Sequence, residues 1–493
     1  MINFRNMGKF AIFLFVFGFI SVIKVHNYDR TPGANHAEEL LYSWSGIHLI
    51  ETGVPVSWST LNYPDSNLIY DGIVGDTSNL FLPAKLYKPW LDEPPLYSLM
   101  SGGVAHLYGD DRREVIPTSR SRVPSVIASI ITSVLVFWVG YKFFSFKMGI
   151  LSMLVYGLTP IFVLGSRLSV PENVIAMAVT GCLLLGQSYL KKPKFSIAVI
   201  FGVLSFILGL MKPTGFFLAP LTMFLAARKG KWNHAGIIFG LTLLGVAAFA
   251  AYGYYYDWEL FKEIVSIQGQ RFAGWSGLGH VFTSPSYDIF QMYDGWYIFA
   301  LLFSIYFGLK KRKSDEVGLL VLFFFYWLMI AVFSGTEQDL LPWYRYMMFP
   351  IMAIFGALGI REVIKNPSFF NVAFTLGLLL SSRYYLSNAH RPTTPTNVFR
   401  FTYLLAIVPS LVYMVWHKKW AKKLSAGILV VFIGLGLWLN SKYLYNVFEI
   451  SCESISCPFG PSTKLSETKM PLLWRFLILK PSDGMLTEKR PWF

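Results

Sequence analysis

The sequence predicts an all-α polytopic membrane protein, and three observations carry that prediction. Hydrophobic residues make up 54% of the 493 and charged ones only 14%, with a mean hydropathy of +0.47, so polar surface is too scarce for a soluble fold. Apolar runs of roughly 15–22 residues recur along the chain, long enough to cross a hydrocarbon layer as helices. Basic residues sit in short clusters between alternate runs, as in loops retained on the cytoplasmic side. The net charge of +15 is therefore a topology signal and points to no nucleic-acid partner.

In chain order thirteen runs qualify: about 8–24, 120–141, 148–165, 173–190, 195–211, 213–227, 235–254, 295–309, 317–333, 345–360, 369–386, 399–416 and 424–446. Arg5 and Lys9 precede the first run and no small-x-small site follows it, so an uncleaved first span is expected. The stretch 94–109 is a weaker candidate, short and carrying His106 and the pair Gly102-Gly103. Kept outside the membrane, it leaves every even-numbered span ending in bases: Lys142 and Lys147; Lys191, Lys192 and Lys194; Arg228, Lys229 and Lys231; Lys310 to Lys313; Arg361 and Lys365; Lys418, Lys419, Lys422 and Lys423. Counted as a span, it would turn all of these outward, so it is read as interfacial.

The expected organisation is a first span at 1–24, an external loop with interfacial helices at 25–119, and spans 2–7 at 120–254. A second external loop at 255–294, spans 8–13 at 295–446 and an external tail at 447–493 complete it. Cys182 lies within an apolar run and reads as a packing residue, whereas Cys452 and Cys457 in the tail are either a small disulfide loop or free thiols. The spans carry essentially no ionisable residue away from their ends, which disfavours an ion-coupled transporter.

Chemistry-bearing residues gather instead at the outer ends of the spans. The acidic pair Glu38 and Glu39 follows the first span on a predicted helix whose apolar face is Leu40, Leu41, Trp44 and Ile47. Such a helix is expected to lie on the bilayer surface with Glu38 above it. At the same level fall Asp92, Glu93, Arg120, Arg122, Arg167, Glu172, Lys212, Arg271, Trp343, Tyr344 and Arg345. Carboxylates there can serve as general bases and cations can hold a phosphate at the membrane surface. For any single cation, an interface-anchoring role is the plainer reading.

The order of short motifs resembles a known family. It runs Glu38-Glu39-Leu-Leu-Tyr42, then Asp92-Glu93-Pro94-Pro95-Leu96-Tyr97, then Arg122-Val-Pro124-Ser125 at the start of a span. Thr159-Pro160, Ser166-Arg167, Pro171-Glu172-Asn173 and Met211-Lys212-Pro213 follow, and Trp343-Tyr344-Arg345-Tyr346 leads to Pro350. Over about 30–360 this is similar to the type C (GT-C) glycosyltransferases of the protein O-mannosyltransferase and lipid A aminoarabinose transferase superfamily.

The resemblance implies a GT-C fold and inverting transfer of a sugar from a polyprenyl-phosphate sugar, in a membrane, to a lipid, glycan or protein acceptor on the external face. It maps the catalytic acids onto Glu38, or its neighbour Glu39, and Glu172. It maps the donor-phosphate cations onto Lys212, Arg271 and Arg345, with Arg122 added on position. Tyr42, Tyr344 and Trp343 become candidate substrate contacts. Glu38 and Glu172 stand where the family usually has Asp, and Glu93 stands where relatives carry Lys or His.

Elementary chemistry fits the same reaction. A prenyl-phosphate leaving group departs as an anion, so fixed cations beside the glycosidic oxygen act where charge develops. One carboxylate near the acceptor hydroxyl suffices as base, whereas two flanking one bond would suit a hydrolase. A divalent metal bridging Glu38 or Glu172 to the phosphate is compatible, although no committed ligand spacing is present and no cofactor is certain. Trp58, Trp275, Trp296 and Trp343 serve as sugar-stacking platforms or, more commonly, as an interfacial aromatic belt. The alternatives are a lipid-phosphate or lipid-linked glycan transporter or flippase, which would need polar groups at mid-depth, and a glycan polymerase or ligase.

Overall fold

The computed structural model describes residues 4–31, 37–59, 61–75, 81–112, 116–270, 294–310, 314–333, 342–380, 382, 396–451 and 462–465. Their bulk is helical. In order the helices are α1 (Phe4–Val25), α2 (Ala37–Thr52), α3 (Pro95–Leu107), α4 (Thr118–Ser121), α5 (Val123–Phe143), α6 (Phe146–Leu158), α7 (Pro160–Gly165), α8 (Pro171–Lys191) and α9 (Phe195–Gly209). There follow α10 (Leu218–Arg228), α11 (Trp232–Tyr256), α12 (Trp258–Gly269), α13 (Gly295–Lys310), α14 (Asp315–Phe333), α15 (Phe349–Lys365), α16 (Phe369–Leu380), α17 (Thr396–Trp416) and α18 (Lys419–Asn446). Seven of the described helices are long and apolar enough to cross a membrane unaided, and five shorter apolar ones accompany them. Each of the thirteen expected ranges contains helix, but by length and composition alone only the seven qualify as spans.

Short turns fall at the basic ends: 144–145 after Lys142, 192–194, 229–231, 366–368 after Lys365, and 417–418. The chain therefore doubles back at each. The C-terminal ends of α1, α9 and α18 then share one side of the bundle with the N-terminal ends of α5, α8, α13 and α15. Contacts confirm this: the imidazole of His26, just past α1, stacks on Tyr445 of α18 at 4.1 Å and bonds its carbonyl at 2.9 Å. Every site residue discussed below lies on this side.

One helix is deliberately broken. Pro160 at the first position of α7 interrupts the run from α6, and Thr159 there adopts an extended backbone. The break leaves amides needing acceptors, and the buried Asp294 supplies one, its Oδ2 accepting from Ile161 N at 3.2 Å. Its Oδ1 accepts from Trp296 N and Tyr297 N at 2.9 and 3.2 Å, so one carboxylate caps both α7 and α13.

The region 25–119 departs from expectation in two ways. Besides α2 and α3 it contains a three-stranded antiparallel sheet of β1 (Ser57–Trp58), β2 (Leu68–Gly75) and β3 (Phe81–Tyr87), in the order β1-β3-β2. The register runs Leu68 opposite Tyr87 to Gly75 opposite Phe81. Second, α2 is not a surface helix: Glu39 through His48 are all buried, the polar Ser43 and Ser45 as completely as Trp44 and Ile47. The reason is α3, expected as interfacial, which packs directly along it. A second hairpin, β4 (Val447–Ser451) with β5 (Ser462–Leu465), follows α18.

The α2–α3 contact depends on two glycines. A Cβ on Gly46 would lie 1.8 Å from the Ser98 carbonyl oxygen, and one on Gly102 2.3 Å from Ile47 N. Both obstacles are backbone and cannot rotate away. Gly46→Ala is accordingly expected to force the helices apart and destabilise the protein by about 1–3 kcal/mol or more, read as a lowered thermal midpoint in nanodiscs.

Candidate active site

The segment leading to the acidic pair is pinned by two buried arginines. Arg167 donates to four backbone carbonyls, Ile23 (2.7 Å), Lys24 (3.2 Å), His26 (2.8 Å) and Thr31 (3.0 Å). These include orphan acceptors at the C-terminal end of α1, where a cation also suits the helix dipole. Next to it, Lys24 reaches Ser166 Oγ at 3.1 Å and lies over the Tyr156 ring at 4.3 Å.

Arg122 holds the other side of the segment. Its Nε and Nη2 donate to Glu39 Oε1 and Oε2 at 2.8 and 2.7 Å, and its Nη1 donates to Tyr28 O at 2.8 Å. Ser169 N donates to Glu39 Oε1 at 2.8 Å as well. Both members of the pair are essentially without solvent contact. Arg122, expected as a phosphate cation, is thus committed to a bidentate carboxylate, and Glu39, expected to support Glu38 or replace it as the base, is committed to Arg122. Such forks are strong and geometrically exact.

A second ion pair lies where α8 begins and α9 ends. Lys212 Nζ is 2.7 Å from Glu172 Oε1 and 3.8 Å from Glu93 Oε1. The same ammonium sits over the ring of Tyr344 at 4.6 Å. Glu172 falls in the first turn of α8 after Pro171, where a carboxylate faces the positive end of the helix. Lys212 follows the last turn of α9, the favourable end for a cation. Glu172 is fully buried and Lys212 nearly so, whereas the Glu93 side chain retains 14% exposure. A lysine ammonium thus occupies the space between two acids.

Glu93 is delivered by an ordered shelf. Its neighbour Asp92 accepts from Ser59 Oγ at 2.6 Å and Tyr63 Oη at 2.7 Å, and its carbonyl accepts from Gln268 Nε2 of α12. Burial, then the Asp92 charge, hold the Tyr63 phenol well above its ordinary range, so it remains a donor. Leu96 N donates to Leu210 O at 3.1 Å, tying the start of α3 to the Lys212 segment.

Between the two ion pairs lies Tyr97. Its hydroxyl pairs with Ser125 Oγ at 2.8 Å and Ser169 Oγ at 3.2 Å. Burial pushes this phenol up, its bonds to Ser125 and Ser169 pull it back, and the Glu39 and Glu172 charges add a smaller push. Tyr42 is fully buried, edge-on to Tyr97 at 5.1 Å and Trp90 at 6.4 Å.

Residues Pro342–Met348 form a 3-10 turn leading into α15. Successive side chains on such a turn diverge by about 120°. Tyr344 therefore faces Lys212 while Arg345, expected beside it as a phosphate cation, is buried and hydrogen-bonded to Tyr297 of α13. Trp343 is buried too.

The structure thus brings Glu172 and Lys212 together, adds Glu93 and Tyr344, and sets Glu39 with Arg122 apart from them. Glu38 lies in the first turn of α2, its side chain outside the described residues; Arg271, Trp275, Cys452 and Cys457 are outside them altogether. Asp294, Lys24, Ser169 and Tyr97 were not singled out as site residues from sequence. Asp294 alone carried a usable signal, an acid directly preceding an apolar run.

Residues 92–255 match the family described as dolichyl-phosphate-mannose-protein mannosyltransferase. No curated protein matches the chain in sequence. Among solved structures it is similar to the arabinosyltransferase EmbB from Mycobacterium smegmatis, at 14% identity and a TM-score of 0.53 over 90% of this chain and 41% of that one. It is also similar to ArnT from Cupriavidus metallidurans in the apo state, at 12% identity and a TM-score of 0.50, over 90% of this chain and 78% of that one. ArnT bound to undecaprenyl phosphate gives 12% identity over the same shares, at a TM-score of 0.49. With that architecture over nine-tenths of its length, this multi-pass membrane protein has the type C glycosyltransferase fold.

Proposed function

We propose that the protein transfers a sugar from a polyprenyl-phosphate donor to an acceptor hydroxyl at the external face of the cytoplasmic membrane, with inversion at the anomeric carbon. The observation that carries this reading is the buried Glu172–Lys212 pair, met by Glu93 and by the Tyr344 ring at one end of the helix bundle. The donor class follows the family description over 92–255 and the lipid phosphate bound by ArnT.

In this reading the acceptor oxygen attacks the anomeric carbon while the bond from that carbon to the phosphate oxygen breaks. The polyprenyl phosphate leaves with the electron pair, and the hydroxyl proton passes to the Glu38 carboxylate. Lys212 holds the phosphate and stabilises the charge that grows on it. Glu172 keeps the ammonium charged and aimed; Glu93, the looser partner at 3.8 Å, gives way to the incoming phosphate. Glu39 and Arg122 position the helix that bears Glu38 without touching substrate.

The test uses protein in nanodiscs, a panel of undecaprenyl-phosphate hexoses and pentoses labelled in the sugar, and cell-envelope extract as acceptor. Label is expected to leave one class of donor for the acceptor, with undecaprenyl phosphate as the second product. Passage of intact donor across a vesicle with no loss of sugar would replace the reading with a flippase.

A further inference from the structure

The turn Ser166–Val170, between α7 and α8, touches the segment after α1 and the helices α2, α3 and α4. Ser166 Oγ accepts from Lys24, and Arg167 takes four carbonyls of the segment 23–31. Ser169 N meets Glu39, while Ser169 Oγ donates to Ser121 O at 2.6 Å and pairs with Tyr97 at 3.2 Å and Ser101 at 3.3 Å. Asn173 Nδ2, in the first turn of α8, closes the turn onto the Gly165 and Leu168 carbonyls at 3.1 and 2.9 Å. The whole turn from Ser166 to Val170 is buried.

Its position in the chain gives these contacts a purpose. Ser169 lies three residues before Glu172, and its amide is fastened to Glu39, the residue after Glu38. Arg167 fastens the chain on the other side of Glu38, at Thr31. The two acids come from segments more than a hundred residues apart, yet both are within a few residues of one rigid turn. We infer that this turn is the spacer fixing Glu38 relative to Glu172, with Arg167, Ser169 and Tyr97 as positioning residues for the transfer reaction. The inference rests on the function proposed above for its catalytic meaning, but the spacer itself is a property of the fold.

The chemistry of the three residues suits that role. A guanidinium on four carbonyls leaves the backbone of 23–31 little room to shift, and a lysine cannot reproduce its fork. The hydroxyls of Ser169, Tyr97, Ser125 and Ser101 form a buried cluster beside Glu39. A displacement of about 1 Å in such a site is enough to slow a reaction by about a hundredfold.

Ser169→Ala and Tyr97→Phe each remove one hydroxyl while keeping the shape and, for Ser169, the amide to Glu39. Each is expected to lower kcat for sugar transfer about tenfold per folded molecule, with donor KM and the affinity for undecaprenyl phosphate unchanged within about twofold. Unchanged kcat, or kcat and affinity lost together, overturns the inference. Hydrogen exchange decides the spacer independently of turnover. Arg167→Lys is expected to raise amide exchange several-fold in 23–31, 39–42 and 166–170 together, leaving α18 unaltered. A rise in one segment alone, or in none, overturns the spacer even if sugar transfer is confirmed; a joint rise upholds it even if no sugar moves.

Discussion

Lys212→Met and Glu172→Gln, made singly, are each expected to destabilise the protein by about 3–5 kcal/mol, while the double variant recovers most of that loss and remains inactive. Removing one partner of a buried pair strands the other charge in a medium that cannot solvate it; removing both leaves a neutral, similarly shaped pair of side chains. The two single variants should differ. Lys212→Met leaves both Glu172 and Glu93 without their shared cation, whereas Glu172→Gln leaves Lys212 with Glu93 still 3.8 Å away. The expected order of thermal midpoints is therefore Lys212→Met lowest, Glu172→Gln next, and the double variant nearest the parent. Sugar transfer should fall by about a hundredfold or more in all three, because the departing phosphate loses Lys212 itself or, in Glu172→Gln, the carboxylate that aims it. Stability effects that simply add would show that the pair is uncoupled.

The second large effect separates Arg122 from Lys212. Arg122→Gln strands Glu39, which is 1% exposed, and also removes a bond to Tyr28 O, so a loss of about 3–5 kcal/mol is expected. Arg122→Lys should rescue little, since a point charge cannot satisfy both carboxylate oxygens and a carbonyl at once. The double variant Glu39→Gln with Arg122→Gln should regain stability and still bind undecaprenyl phosphate within about threefold of the parent, because no reacting charge has been removed. Titration of the lipid phosphate in nanodiscs reads this directly. A large loss of affinity would return Arg122 to the phosphate site where the sequence had put it.

Hydropathy and charge found a helix in every expected range, though not its exact ends, because both signals are local: apolar runs of span length and clustered lysines do not depend on distant partners. Glu172 and Lys212 were legible for a related reason, each being an isolated charge at the end of an apolar run. What could not be read was which charge meets which. Arg122, Arg167 and Lys212 look alike in sequence, yet one forks onto Glu39, one onto four carbonyls, and one onto two acids. Those choices are made by contacts between residues 40 to 144 positions apart. The burial of α2 was hidden in the same way. Its apolar face suggested a bilayer surface, but Gly46 and Gly102 let α3 approach so closely that both faces are covered. The β1–β3 sheet was missed because β1 has only two residues, and β2 and β3 lie in a Gly- and Pro-containing stretch without clear alternation.

In the proposed reaction Lys212 is the residue that receives the lipid phosphate. Electron cryomicroscopy of the protein in nanodiscs containing undecaprenyl phosphate measures this directly. The predicted result is a phosphate oxygen about 3 Å from Lys212 Nζ, with Glu93 drawn aside and Glu172 still in contact. A phosphate bound elsewhere, with Lys212 unmoved between Glu172 and Glu93, would contradict it.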